Sequence, residues 1–205
     1  MKIKTLLEMP VLIDKELNEP MSSFFIPAAR LLDGYDEIDT DTNFQVYLKH
    51  DKTRAYMGSF GIRHDGVKGV AIIAEVEFHE HLRLQKSLSD QLSIFKLDKV
   101  LQISMVHVVN DVKMRGSGRV LYQTLVRAGY IIISDNVHYK GGKALWKSLA
   151  KSIKNPEVIY VSNNGEIIMK DNSPVLYDGS NIPDEDIWSE DDQKRYVVLI
   201  YTKTR

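Results

Sequence analysis

Apolar and polar positions alternate from Phe44 to Lys49 (FQVYLK), and strand-like runs follow from Ala55 to Arg63 and from Val67 to Phe78. A period of two predicts strands. Asp65-Gly66 separates the last two and reads as a hairpin-type turn. Gly58 and Gly61 are candidate bulge points inside the second strand. Leu101 to Val109 is a further apolar run, so these segments predict an antiparallel meander. The period then changes. Val120, Leu121, Leu125, Val126 and Ala128 fit a helical repeat. Tyr130 to Asp135 reads as a short buried strand, and Gly141 to Leu149 as a second helix. Pro156 to Val161, Glu166 to Met169 and Arg195 to Thr202 predict later strands, with turns at Asn163-Asn164-Gly165 and at Asp178-Gly179 after Val175 to Tyr177. Upstream, Ser22 to Leu32 predicts a capped helix that stops near Gly34. Leu82 to Phe95 reads as a helix or as a long connection.

The stretch Lys113-Met114-Arg115-Gly116-Ser117-Gly118 joins the end of the meander to the first strong helix. A strand, a glycine-bearing loop and a helix leave free backbone N–H groups at the positive end of the helix dipole. That is a ready site for a phosphate or pyrophosphate, and glycines let the backbone come close to the anion. A dinucleotide fingerprint needs a third glycine where Leu121 stands, and the chain holds no Gly-Lys-Ser/Thr of a P-loop.

The spacing basic-x-x-Gly-x-Gly resembles the acyl-CoA pyrophosphate loop of the GCN5-related N-acetyltransferase (GNAT) superfamily, written Gln/Arg-x-x-Gly-x-Gly/Ala, with Lys113 where Gln or Arg is usual. Leu145-Trp146 resembles the Leu-Tyr pair of the family's pattern Asn-x-x-Ala-x-x-Leu-Tyr, which sets Gly142 at the Ala and Tyr139 at the Asn. The likeness covers Leu101 to Ala150. It implies an α/β fold: a GNAT-like mixed, mostly antiparallel sheet flanked by helices. It further implies one domain over residues 1–205. Residues 1–42 would be a variable segment walling the acceptor cleft, 101–150 an acyl-CoA-binding core, and 162–194 a hairpin and acidic-loop insertion.

The resemblance implies acetyl-CoA as co-substrate and acyl transfer to an amine. The pyrophosphate would rest on amides from Met114 to Arg119, through Arg115, Gly116, Ser117 and Gly118, with charge from Lys113, Arg115 and Arg119. Many members use the Tyr of the Leu-Tyr pair as acid to the leaving thiolate. Trp146 stands there, and an indole N–H is no useful acid, so Tyr139 is the candidate replacement. His107, on the strand before the loop, is the candidate base. Asp135 ends the next strand, where α/β-type sites gather, and also suits a helix cap. The Ser-Asp, Gly-Gly and Leu-Trp string is also similar to phage-encoded GNAT-like proteins. That leaves two alternatives: a binding or virion-associated module without catalysis, and a relative that modifies nucleobases. The acceptor, a small molecule or a protein amine, is not legible.

Composition narrows this further. The 205 residues are 43% hydrophobic and 27% charged with a net charge of −1, which describes an ordinary globular chain rather than one driven to nucleic acid by charge. A local basic face remains open from Arg115, Arg119, Arg127, Lys140, Lys143, Lys147, Lys151 and Lys154. There is no cysteine, which removes disulfides and thiolate chemistry. With no membrane-length apolar run and no signal peptide, the expectation is a cytoplasmic protein. Glu75, Glu77, His79 and His81 share one strand face if that strand is unbroken. They read as a solvated face, with a general base or a His79–His81 metal site as the alternatives. Asp33, Asp36, Glu37, Asp39 and Asp41 read as a solvated loop, and Asn181 to Lys194 as an acidic loop pinned by Trp188.

Overall fold

The computed structural model describes residues 25–40, 42–63, 65–92, 99–108, 116–135, 140–188 and 197–204. Its elements in chain order are β1 (Phe25–Pro27), α1 (Ala28–Gly34), β2 (Tyr35–Ile38), β3 (Gln45–Lys49), β4 (Arg54–Ile62), β5 (Lys68–Phe78) and α2 (Lys86–Leu92). Then come β6 (Val100–Val108), α3 (Ser117–Arg127), β7 (Ile131–Ile133), α4 (Lys140–Ser152), β8 (Glu157–Asn163) and β9 (Glu166–Ile167). The chain closes with β10 (Met169–Lys170), β11 (Ser173–Pro174), α5 (Asp184–Ile187) and β12 (Val198–Lys203).

One large sheet runs in the order β2-β3-β4-β5-β6-β7-β12-β8-β9, with β1 added to the edge of β5. The pairings of β2 through β6 are antiparallel, β6 and β7 are parallel, and β12 lies antiparallel between β7 and β8. The fold is therefore α/β, with a mixed, mostly antiparallel sheet flanked by helices. Alternating strand residues feed opposite faces. Leu101, Ile103, Ile132, Leu199 and Tyr201 pack with Leu121, Leu125, Trp146 and Leu149, so α3 and α4 cover one face. Val100, Ile131, Ile133, Val198 and Ile200 pack with Leu88 and Leu92 of α2 on the other. Leu31 of α1 joins Tyr47, Tyr56, Val70 and Ile72 further along that second face. Among the described residues, no helix is long and apolar enough to cross a membrane.

Three sequence expectations are corrected. The helix expected from Ser22 begins only at Ala28; Phe25–Pro27 is a strand pairing with Gly69 to Ala71. Ile26 precedes a proline, which biases it to extended backbone, and the helix starts only beyond the ring. The acidic loop is partly strand: Asp36 and Glu37 lie in β2. Burial, and then the neighbouring Asp39, push the Glu37 carboxyl up from its ordinary value. The strand expected near Val175 to Tyr177 is displaced to Ser173–Pro174, because Asp171 and Asn172 take positive φ (51° and 60°) and close a tight hairpin from β10. Leu176 keeps one isolated bridge to Tyr160.

Other expectations hold. Register shifts at Met57/Gly58, and a Cβ on Gly58 would strike the Ala71 carbonyl, so this glycine marks both a bulge and a close approach of strands. Asn164 and Gly165 have φ of 51° and 80°, the left-handed pair that turns β8 back into β9. Leu82 to Phe95 contains a helix, α2.

Candidate functional site

The site begins where the sheet forks. The first half of β6 is paired with β7, through Val100↔Ile131, Leu101↔Ile132 and Gln102↔Ile133. The second half is paired with β5, from Ile103↔Phe78 to Val108↔Ala74. Beyond Gln102, β6 and β7 part. Ser134 leaves the β6 side altogether: its N–H donates to the Leu199 carbonyl at 2.9 Å, and its Oγ accepts the Leu199 N–H at 2.9 Å. On the β6 side, Phe78 opposes Ile103 while Glu77 opposes Met105, so β6 carries an extra residue around Ser104. A bulge of this kind bends a strand and disturbs its ladder. From Ile103 onward, no strand among the described residues pairs with the β7-facing edge of β6. Its backbone groups stand at the mouth of a wedge.

Helix α3 starts beside the far end of β6. Gly116 is its N-cap in the left-handed region (φ 89°), where only glycine sits without strain. No side chain caps the helix, and its first turn holds no acidic residue. The first N–H groups of a helix lack intrahelical partners, so they are open to an anion. Ser117 is 6% exposed, and its Oγ has no hydrogen-bond partner. The Nε of Arg119 is also buried without a partner, and its guanidinium folds back to within 3.6 Å of where a Cβ on Gly116 would stand. Gly118 has a different role. A Cβ there would lie 3.3 Å from Val108 and 3.5 Å from Leu145, so this glycine sets the close contact of α3 with β6 and α4. Lys113, Met114, Arg115 and Tyr139 lie outside the described residues.

At the inner end of the fork, His79 and Asp135 meet. The His79 N–H donates to the Gln102 carbonyl at 2.9 Å, which fixes this residue on the last paired position of β6. Its ring Nε2 lies 3.3 Å from Asp135 Oδ1, and the two side chains are 12% and 27% exposed. Gln102 is fully buried, and its Oε1 accepts the Arg83 N–H at 2.6 Å, which holds the segment after His79 in place. The expected face of Glu75, Glu77, His79 and His81 is thus divided. β5 ends at Phe78, Glu75 and Glu77 bind Arg54 at 3.1 and 2.8 Å, and His79 turns to Asp135.

His107 lies opposite Glu75 on the outer half of β6 and is exposed, so it is not a core histidine. Its companions on the outer half, Met105 and Val108, are exposed apolar residues. Trp146 is 3% exposed and packs on Tyr122 at a centroid distance of 5.7 Å. A proton donor at this position would be sealed in the core. Trp188, expected to be buried, is half-buried and lies edge-on to Tyr177.

A polar hollow of about 460 Å³ adjoins the same end of the sheet. Its lining includes Arg30, Tyr35, Tyr56 and, on either side of His79 in the chain, Glu77, Phe78 and Glu80. The basic face is partly neutralised within the chain: Asp184 takes hydrogen bonds from Lys147 and pairs with Lys143 at 2.8 Å, and Glu157 binds Arg127 at 2.8 Å. Among the described residues, no group of His, Asp and Glu is arranged to hold a metal. The chain matches no family model, no curated protein and no solved structure.

Proposed function

We propose that this chain is an acyl-CoA-dependent N-acyltransferase of GNAT type, which transfers an acetyl group to an amine. The observation that carries the reading is the start of α3: an uncapped helix with no acid in its first turn, and a buried Ser117 hydroxyl with no partner. A buried hydroxyl left unpaired costs free energy, and a phosphate oxygen would supply the missing acceptor. Arg119 adds positive charge at the same place. The order of meander, glycine loop, helix, parallel strand and second helix agrees with the family the loop resembles. The parted edge of β6 offers backbone N–H groups of the kind that polarise a thioester carbonyl. Holding both substrates in the wedge would supply the rate enhancement that comes from positioning.

The test is calorimetric titration with acetyl-CoA of the wild type and of Ser117→Ala. We expect binding, weakened roughly 10- to 100-fold in the variant, the equivalent of losing one hydrogen bond to a charged group. The variant's thermal midpoint without ligand should not fall, because the hydroxyl it removes is unsatisfied. No binding by the wild type, or equal binding by both, would overturn the assignment. Gly118 is a poorer probe, since a side chain there meets Val108 and Leu145 and confounds binding with folding.

A second reading, a GNAT-type binding module without catalysis, draws on the buried Trp146 where the family has its acid. Binding without release of CoA thiol in the presence of any amine would favour it. The nucleobase-modifying alternative has less support, because Lys143, Lys147 and Arg127 are engaged by carboxylates of this chain.

A further inference from the structure

We infer that His79, oriented by Asp135, is the group that takes the proton from the acceptor amine; the inference rests on the acyltransferase reading and assigns a residue to it. Two independent features converge on His79, its place in the fork and the hold on its ring. It lies at the inner end of the fork, bonded through its backbone to Gln102, the last residue of β6 paired with β7. The polar hollow lies beside it in the chain, lined by its neighbours Phe78 and Glu80 but not by His79 itself. Its ring is held on one side only: Nε2 faces Asp135, and Nδ1 makes no hydrogen bond to any described residue.

A carboxylate on one ring nitrogen selects the tautomer with the proton there and leaves the lone pair on the other. With Nε2–H directed at Asp135, Nδ1 is the acceptor. The acceptor amine attacks the thioester carbonyl carbon. As the C–N bond forms, one proton of the amine nitrogen passes to Nδ1. The C–S bond then breaks and its electron pair leaves on sulfur. The products are the amide, the CoA thiolate and an imidazolium, and the last two exchange their proton with solvent. His79 is thus the catalytic residue, and Asp135 a positioning residue that acts through it. His107 sits on the outer half of β6, across from Glu75, away from this junction.

The experiment measures thiol release from acetyl-CoA with spermidine, glycinamide and n-butylamine as amine probes, for the wild type, His79→Gln, His79→Ala and Asp135→Asn. Calorimetry with acetyl-CoA is run on each. A lost general base typically costs about 10²- to 10⁴-fold in rate. The expected result is a fall in kcat of that order in both His79 variants, with acetyl-CoA affinity retained. Added imidazole should restore part of the rate in His79→Ala and none in His79→Gln. Asp135→Asn should lower kcat with the KM for acetyl-CoA unchanged. Retained binding with an undiminished rate in the His79 variants would overturn this inference alone. So would a fall that imidazole cannot rescue, or a wild type that binds acetyl-CoA and releases no thiol with any probe. Absence of acetyl-CoA binding by the wild type would remove the acyltransferase reading and this inference together.

Discussion

Ser117, Gly118 and Trp146 show how differently residues of the two motifs are employed. Ser117 occupies an x position of the glycine loop, yet its buried and unpartnered hydroxyl makes it the residue that asks for a ligand. Gly118 occupies a motif position, yet its contacts are those of close packing. Trp146 replaces the residue type expected at a chemical position and is part of the core against Tyr122. Trp146→Ala should therefore lower the free energy of unfolding by about 3–5 kcal/mol, as for other large buried aromatics. Urea denaturation checks this, and a loss under about 1 kcal/mol would mean that the side chain is not packed as described. The identity of Trp146 was legible in the sequence. Its burial was not, because an eight-residue pattern does not say which helix face meets the sheet.

Among the elements, α4 and α5 are joined by charge. Asp184, in the first turn of α5, accepts hydrogen bonds from Lys143 and Lys147, and these hold its carboxyl down to about 2 from an ordinary 3.8. The folded value lies below the unfolded one. The contribution to stability is therefore present above 3.8 and is lost as pH falls toward about 2. Asp51 is also held down to about 2, where burial pushes its carboxyl up and the hydrogen bonds from Lys49 and Thr53 together outweigh it, so acid unfolding alone does not isolate Asp184. The comparison with Asp184→Asn does. The difference between wild type and variant in urea midpoint should be constant from pH 7 to 5 and should shrink between pH 4 and 2. A difference that does not change with pH would remove the ion pairs as its source. The acidic composition of this segment was plain in the sequence, but its partners were not. Lys143 and Lys147 are one turn apart on a helix some forty positions upstream, and only packing sets them opposite Asp184.

For the whole molecule, ligand binding and stability are linked. A ligand that binds only the folded chain stabilises it by about 2.7 kcal/mol at one hundred times its dissociation constant. For a chain of this size each kcal/mol moves the midpoint by about 2–4 °C. Acetyl-CoA at that excess should raise the thermal midpoint by about 5–11 °C. Ser117→Ala at the same ligand concentration should show a clearly smaller rise. An unchanged midpoint at millimolar acetyl-CoA would argue against the cofactor site at the scale of the whole fold.

Much of the architecture was legible because its signals are local. The period of two in β3 to β5, the helical spacing after Gly118 and the left-handed Asn164-Gly165 turn each depend on a few adjacent residues. The same is true of the strand, loop and helix around Gly116. The fork in β6 was not legible, since apolar residues predominate in both halves of Val100 to Val108 and a single Gln102 does not mark a change of strand partner. Nor was the meeting of His79 with Asp135, which are 56 positions apart. Sequence singled out both residues separately: one on an assumed continuous strand face, the other at a strand end. Their contact depends on where β5 stops, on the extra residue near Ser104 and on the register of β7 against β6. Local preference follows from backbone sterics and side-chain period, which a chain carries in its order of residues. Register and strand partners are settled by the free energy of packing the whole sheet between its helices, so the chain alone predicted the parts, and the assembled fold decided which of them touch.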